Sequence, residues 1–228
     1  MSSEYIFPAP LSIMPEVLRP WQISLYKGII DLLLQRDKDI AEFASRATKS
    51  VDEVWFAKKV PWDPASEIRI PKFRQCFWIY SEKGGDGKRI LAEVLKRSEF
   101  LAKKILYLSL PKKENDLGST VLFAAENQNW TKGGIVFVNL KREDANRIDI
   151  YGMITCLIRG KIRKIEGPAI ETSDNTVVVF ANWLPNTGKN TLSEDRWKIM
   201  KIDEKQELIE MSLSEVRAVR PPGKKEKF

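Results

Sequence analysis

The chain has no histidine among its 228 residues and only two cysteines, Cys76 and Cys156. Each shortage removes a class of chemistry. Without an imidazole there is no Ser-His or Cys-His nucleophile, no histidine base and no histidine-ligated metal. Two thiols set in the apolar runs CFWIY and MITCLI exclude a disulfide framework and read as small core residues in a reducing compartment. No run approaches the ~20 apolar residues of a membrane-spanning helix. The start, MSSEYIFPAP, lacks the basic-then-apolar layout of a secretion signal. These shortages predict a soluble intracellular protein without a membrane partner.

What is present fits a globular chain. Hydrophobic residues make up 43% and charged residues 30%, and the length suffices for one α/β domain with a helical attachment. The formal net charge is +7, unevenly placed. More than half of it falls in residues 217–228, where Arg217, Arg220, Lys224, Lys225 and Lys227 face only Glu226, so the body is nearly neutral. Such a tail reads as a solvated, frayed terminus, or alternatively as an electrostatic arm or a nuclear address.

Residues 1–20 hold Pro8, Pro10, Pro15 and Pro20 and read as an extended lead-in. The spacing of Leu25, Ile29, Leu32 and Leu33 predicts an amphipathic helix over WQISLYKGIIDLLLQ. A second helical stretch, DKDIAEFASRATKS, follows, and Ser50 with Glu53 suggests a capping box opening a third. Pro61, Pro64 and Pro71 then interrupt regular structure and mark a boundary near residue 70. Beyond it, the runs QCFWIY, KILYLSL, GGIVFVNL and TVVVFANW read as buried strands alternating with the helices RILAEVLKRSEFLA and IDIYGMITCLIRG. RWKIMKI reads as a further strand. Continuous apolar strands separated by helices predict a parallel sheet covered on both faces. The divisions are therefore 1–70, a helical region; 71–216, the sheet domain; and 217–228, the basic tail. There is no internal repeat.

The first strand runs straight into SEKGGDGK and then into a helix, the context that a phosphate loop requires. Glycines let successive N–H groups face phosphate oxygens, a helix N-terminus adds positive potential, and Lys88 neutralises charge. The bland alternative is a glycine-rich strand-to-helix turn. Two positions are unsuited to hydrolysis. After the lysine, where a Ser or Thr hydroxyl would bind Mg²⁺, stands Arg89, and at the end of the third strand, where an acid would organise the metal, stands Asn139. Glu143 and Asp144 lie just downstream, where they either compensate or form the acidic first turn of a helix.

These residues resemble the helicase half of the replication-initiator (Rep) proteins of circular single-stranded DNA viruses. The closest pattern is the nanovirus and alphasatellite type, within the superfamily 3 helicases. The resemblance runs from Leu18 to about Ile202. LRPWQ resembles the family's opening motif, FWIYSEKGGDGKR its Walker A strand and loop, and GIVFVNLKRED its Walker B region. YGMITCLIRGKI resembles the segment that follows Walker B, and VVVFANWLPN with LSEDRWKI resembles motif C and its trailing signature.

The resemblance implies an α/β fold, a P-loop NTPase (AAA+-like) parallel sheet flanked by helices and preceded by a small helical oligomerisation region. It implies ATP as ligand, with Mg²⁺ held by phosphates and water. Gly84, Gly85, Asp86, Gly87, Lys88 and Arg89 would form the nucleotide-binding loop. Asn182 would sense the γ-phosphate or the attacking water, and Arg196 would reach a neighbouring subunit's nucleotide or else pair locally with Asp195 or Glu194. Arg159, Lys161, Arg163 and Lys164, on the hairpin before motif C, would track single-stranded DNA, with RNA left open as an alternative. The partners implied are further copies of the chain, as a hexameric ring, or a full-length initiator; a viral protein of this kind would work in the host nucleus. Ser81, Arg89 and Asn139 depart from the family's Gly, Thr and Walker B acid. The family's histidine-dependent nuclease half has no counterpart, so DNA nicking and joining are not expected. The functional expectation is a Rep-type protein that binds ATP and single-stranded nucleic acid with impaired hydrolysis. The alternatives are a fully active helicase ring or a non-enzymatic binding module.

Overall fold

The computed structural model describes residues 18–51, 74–82, 87, 90–91, 94–95, 99–130, 133–162, 170–172, 174–186 and 197–219. The architecture is α/β, with a mostly parallel six-stranded sheet flanked by helices. In chain order the strands are β1 (Cys76–Tyr80), β2 (Ile105–Leu108), β3 (Ile135–Asn139), β4 (Lys161–Ile162), β5 (Ile170–Glu171), β6 (Thr176–Ala181), β7 (Trp197–Ile202) and β8 (Leu208–Met211). The main sheet has the order β2-β3-β6-β1-β7-β8, parallel throughout except for β8, which returns antiparallel on β7. Strands β4 and β5 form a separate antiparallel pair.

The helices are α1 (Pro20–Val51), α2 (Glu99–Ala102), α3 (Leu117–Asn127), α4 (Asp149–Arg159) and α5 (Leu213–Val219). Strand periodicity distributes the core over the two sheet faces. Cys76, Trp78 and Tyr80 of β1 join Val136, Val138, Val177 and Val179 under α3, α4 and Val216 of α5. Ile79, Phe137, Val178 and Phe180 point the other way, onto Trp21, Leu25, Tyr26, Ile29 and Leu33 of α1 and onto Leu91, Leu95 and Leu101. Burial on both faces explains why the strands read as unbroken apolar runs rather than as alternations.

The helical region expected ahead of the sheet thus supplies one wall of the sheet's own core. The two stretches read before residue 50 form a single helix of 32 residues. Nothing at their junction breaks a helix, since Gln35 Nε2 donates to Asp39 Oδ1 at 2.7 Å one turn on, and Arg36 is buried. Ser50 lies inside this helix, whereas Glu53, the prolines near residue 70, the lead-in 1–17 and the tail from Arg220 lie outside the described residues. Arg217, counted with the tail from sequence, sits in the last turn of α5.

Two ion pairs brace the amino edge of the sheet: Arg74 Nε lies 2.6 Å from Asp174 Oδ1 just ahead of β1 and β6, and Lys104, ahead of β2, pairs with Asp37 of α1. Burial lowers the Arg36 pKa, and Asp37 and Asp174 partly offset this. Among the described residues, no helix is long and apolar enough to cross a membrane.

Candidate functional site

At the carboxyl edge of the sheet, β6 lies between β1 and β3, in register Tyr80↔Ala181 and Phe180↔Asn139. Beyond Tyr80 the Ser81 N–H donates to the Ala181 carbonyl at 3.2 Å, and beyond Asn139 the Leu140 N–H donates to the Phe180 carbonyl at 2.9 Å. Asn182 is the next residue of β6's chain and is exposed at that edge. Ser81 and Asn182 therefore stand side by side at adjacent strand ends, and half-buried Asn139 lies on the next strand level with Phe180, two residues earlier.

The chain leaves these strands in different directions. The segment after β1 packs through Leu91, Leu95 and Leu101 on the face that carries α1. The segments after β2 and β3 cross on the opposite face through α3 and α4. Connections that diverge in this way open a crevice at the carboxyl ends of a parallel sheet, the usual place for a ligand.

The loop after Asn182 is pinned from three sides. Trp78 Nε1 donates to the Trp183 carbonyl at 3.0 Å, and Trp183 Nε1 donates to the Lys141 carbonyl at 3.4 Å. The Asn186 N–H donates to the Tyr151 hydroxyl at 2.6 Å. The Trp78 ring stacks on Tyr151 with centroids 6.2 Å apart, and Trp183 meets it edge-on at 4.9 Å. This cluster fixes the end of β6 to β1, to the turn after β3 and to α4. Burial, and secondarily the Glu82 charge, push the Tyr80 phenol above its ordinary range, so it stays protonated at neutral pH.

Of the expected nucleotide loop, Gly87 is described. Its φ of +76° is the left-handed conformation that favours glycine. Its carbonyl accepts a hydrogen bond from Gln22 Nε2 at 2.8 Å. Gly84, Gly85, Asp86, Lys88 and Arg89, like Arg196, Arg163 and Lys164, lie outside the described residues.

The acids downstream of β3 have structural work. Asp144 accepts from the Lys141 N–H at 2.9 Å and from Arg147 Nη1 at 2.9 Å, inside the 3₁₀ turn Arg142–Asn146. Donating hydrogen bonds to the Asp149 and Asp144 carboxylates raises the Arg147 pKa. Exposed Glu143 lies 3.7 Å from Lys141 Nζ. Asp144 is thus the acidic first turn of a short helix and is not turned to the strand ends. Among the described residues, no group of three or more acids or thiols could hold a metal ion.

Arg159 ends α4, Gly160 caps it at φ +64°, and Lys161 opens β4, paired across to Glu171. Arg159 and Lys161 are exposed, while Ile162, the next residue, is buried against the α4 core. The base of this hairpin is held by the Thr172 N–H donating to the Gly160 carbonyl at 2.7 Å and by the buried side chain of Asn175.

Sequence reasoning missed Gln22, Asn175 and the Trp78–Tyr151–Trp183 cluster as site-building residues. Gln22 alone left a local trace. Pro20 followed two residues later by a glutamine is the pattern of a helix start whose third residue reaches back to the cap. In comparisons with known proteins, no family model matches this chain and no curated protein matches it.

Proposed function

We propose that the chain is a superfamily 3 helicase-like protein of the replication-initiator type. In this reading it binds ATP in the crevice at the ends of β1 and β6, binds single-stranded nucleic acid through the β4–β5 hairpin, and turns ATP over slowly. The observation that carries the reading is the juxtaposition of Ser81 and Asn182, joined through the Ala181 carbonyl at 3.2 Å, at the mouth of a glycine-rich segment where the sheet's connections diverge. Support also comes from Gly87, whose left-handed backbone belongs to a tight loop.

In this P-loop reading the N–H groups of residues 84–88 cradle the phosphates and Lys88 neutralises them. Asn182 orients the γ-phosphate or the attacking water, and Arg196 serves a neighbouring copy's nucleotide. Arg159, Lys161, Arg163 and Lys164 follow phosphates without reading bases. Asn139 ends β3 where this reading would want a metal-organising acid, and the neighbouring strand ends carry the amide of Asn182 and exposed Glu82, whose charge is felt at Tyr80. Mg²⁺ accordingly arrives with the nucleotide, held by phosphates and water. Missing charge stabilisation at a phosphoryl transition state costs orders of magnitude in rate, which is the basis for slow turnover.

The test is ATP binding and steady-state hydrolysis with Mg²⁺ and single-stranded DNA. The expected result is binding that Lys88→Ala abolishes, slow wild-type turnover, and a gain of about tenfold or more in Arg89→Thr/Asn139→Asp. Absence of nucleotide binding refutes the reading. Rapid turnover lost in Lys88→Ala instead supports the fully active helicase, and a double variant that gains nothing refutes the account of the defect.

A further inference from the structure

We propose that Gln22 is the positioning residue of the nucleotide loop, so that the LRPWQ segment sets the shape of the site as well as starting a helix. This rests on the phosphate reading above. Gln22 is only 1% exposed, and both ends of its amide are committed. Oε1 accepts the Arg19 N–H at 2.7 Å, closing a capping-box bond at the start of α1. Nε2 donates to the Gly87 carbonyl at 2.8 Å, across 65 residues of sequence. The orientation is unambiguous, because a backbone N–H can only donate and a backbone carbonyl can only accept.

The contact leaves no slack. A Cβ built at Gly87 would lie 2.8 Å from Gln22 Nε2, so the loop rests its backbone directly on the amide. Tying the Gly87 carbonyl to a buried amide fixes the backbone of the glycine segment at this residue.

Gln22 is itself held at its root. The N–H of fully buried Trp21 donates to the Gln206 carbonyl at 2.7 Å, and Arg19 Nη1 donates to Gln206 Oε1 at 2.9 Å. Gln206 is in the left-handed region at φ +64°, in the turn between β7 and β8. The loop is thus referenced to α1 and to the far hairpin of the sheet through one side chain.

A residue that only caps α1 behaves differently from one that also seats the loop, and Gln22→Glu separates the two. Glutamate at this position of a capping box still accepts the Arg19 N–H. Its second oxygen faces the Gly87 carbonyl and can donate only when protonated. The experiment titrates fluorescent ATP against wild-type, Gln22→Glu and Gln22→Met full-length protein between pH 5.5 and pH 8, each compared with wild type at the same pH. In parallel, hydrogen exchange is followed in the segment 82–91 of the nucleotide-free chain.

Expected at pH 8 is about tenfold weaker binding in both variants, the scale of one buried polar group left unsatisfied. As pH falls, Gln22→Glu recovers toward wild type while Gln22→Met does not. Exchange in 82–91 is faster in both variants. Wild-type affinity in Gln22→Glu at pH 8, parallel pH profiles for the two variants, or unchanged exchange in 82–91 overturns the proposal while leaving nucleotide binding intact. A wild-type chain that binds no ATP removes the phosphate reading, and this proposal with it.

Discussion

Replacing Asn175 with alanine tests how the basic hairpin is held. The residue is 1% exposed and its side chain makes three hydrogen bonds. Oδ1 accepts the Gly134 N–H at 3.0 Å, and Nδ2 donates to the Leu157 carbonyl at 2.7 Å and to the Thr172 hydroxyl at 3.1 Å. Those partners belong to the start of β3, the last turn of α4 and the end of β5. The three losses are unequal. The Leu157 carbonyl still accepts the Gly160 N–H at 3.2 Å, and the Thr172 hydroxyl, which loses a donor, can rotate toward another partner. The buried Gly134 N–H loses this donor bond to Asn175 outright. At about 1–3 kcal/mol for each group stranded, weighted toward Gly134, the sum is about 3 kcal/mol. For a chain of this size that lowers Tm by about 6–12 °C. Thermal unfolding monitored by circular dichroism measures it, and a shift under about 2 °C refutes the reasoning. Asn175→Asp keeps the acceptor for Gly134 but sets a carboxylate against the Leu157 carbonyl, so its folded pKa is raised. Its stability deficit is therefore greatest near neutral pH and shrinks as pH falls toward the ordinary carboxylate value of about 3.9.

Other outcomes follow from the same coordinates. In Gly134→Ala a Cβ would meet the Lys104 carbonyl oxygen at 2.2 Å, with φ at +152°, so Tm should fall by roughly 10 °C or more; a melt within a few degrees of wild type contradicts it. Burial holds the Cys76 thiol well above its usual range, so the folded chain keeps a proton that the unfolded chain releases above about pH 8.5. Stability from this source is complete below that pH and declines as pH rises, and Tm should drop more steeply between pH 8 and pH 10 in wild type than in Cys76→Ala. Equal slopes would discard this account. If Arg159 and Lys161 each contact one phosphate, Arg159→Ala/Lys161→Ala lowers the slope of log K against log salt for single-stranded DNA by about 1.4. An unchanged slope removes the hairpin from the nucleic-acid site.

Four of the five parallel strands were legible because they are apolar from end to end and largely buried on both faces, as in Val177–Val178–Val179, whereas Trp197–Ile202 carries exposed Lys198 and half-buried Lys201. The elements missed are those whose sequence signal is dilute. Leu208–Met211 is an edge strand with its middle residues exposed, and Leu117–Asn127 carries glycine, serine and threonine in its first turns. The single helix α1 was read as two because the charged cluster around Arg36 imitates a break, while in the fold Arg36 is buried beside Asp37 and Asp174. At the site, Asn139 and Asn182 stood out as polar residues ending apolar runs. Gln22 and Asn175 did not, because their partners Gly87 and Gly134 are 65 and 41 residues away and nothing local marks the pairing.

Helix α1 has a wider consequence. It runs unbroken through 32 residues, about 48 Å of stiff rod. Its leading end is wedged under Phe180 and carries the amide that touches Gly87. A body fastened to the trailing end shares a shaft with the glycine segment, and torque applied there arrives at Gln22 with little bending to absorb it. Under the proposed reading, a partner gripping the trailing end and a nucleotide held at Gly87 would both act on this one continuous helix.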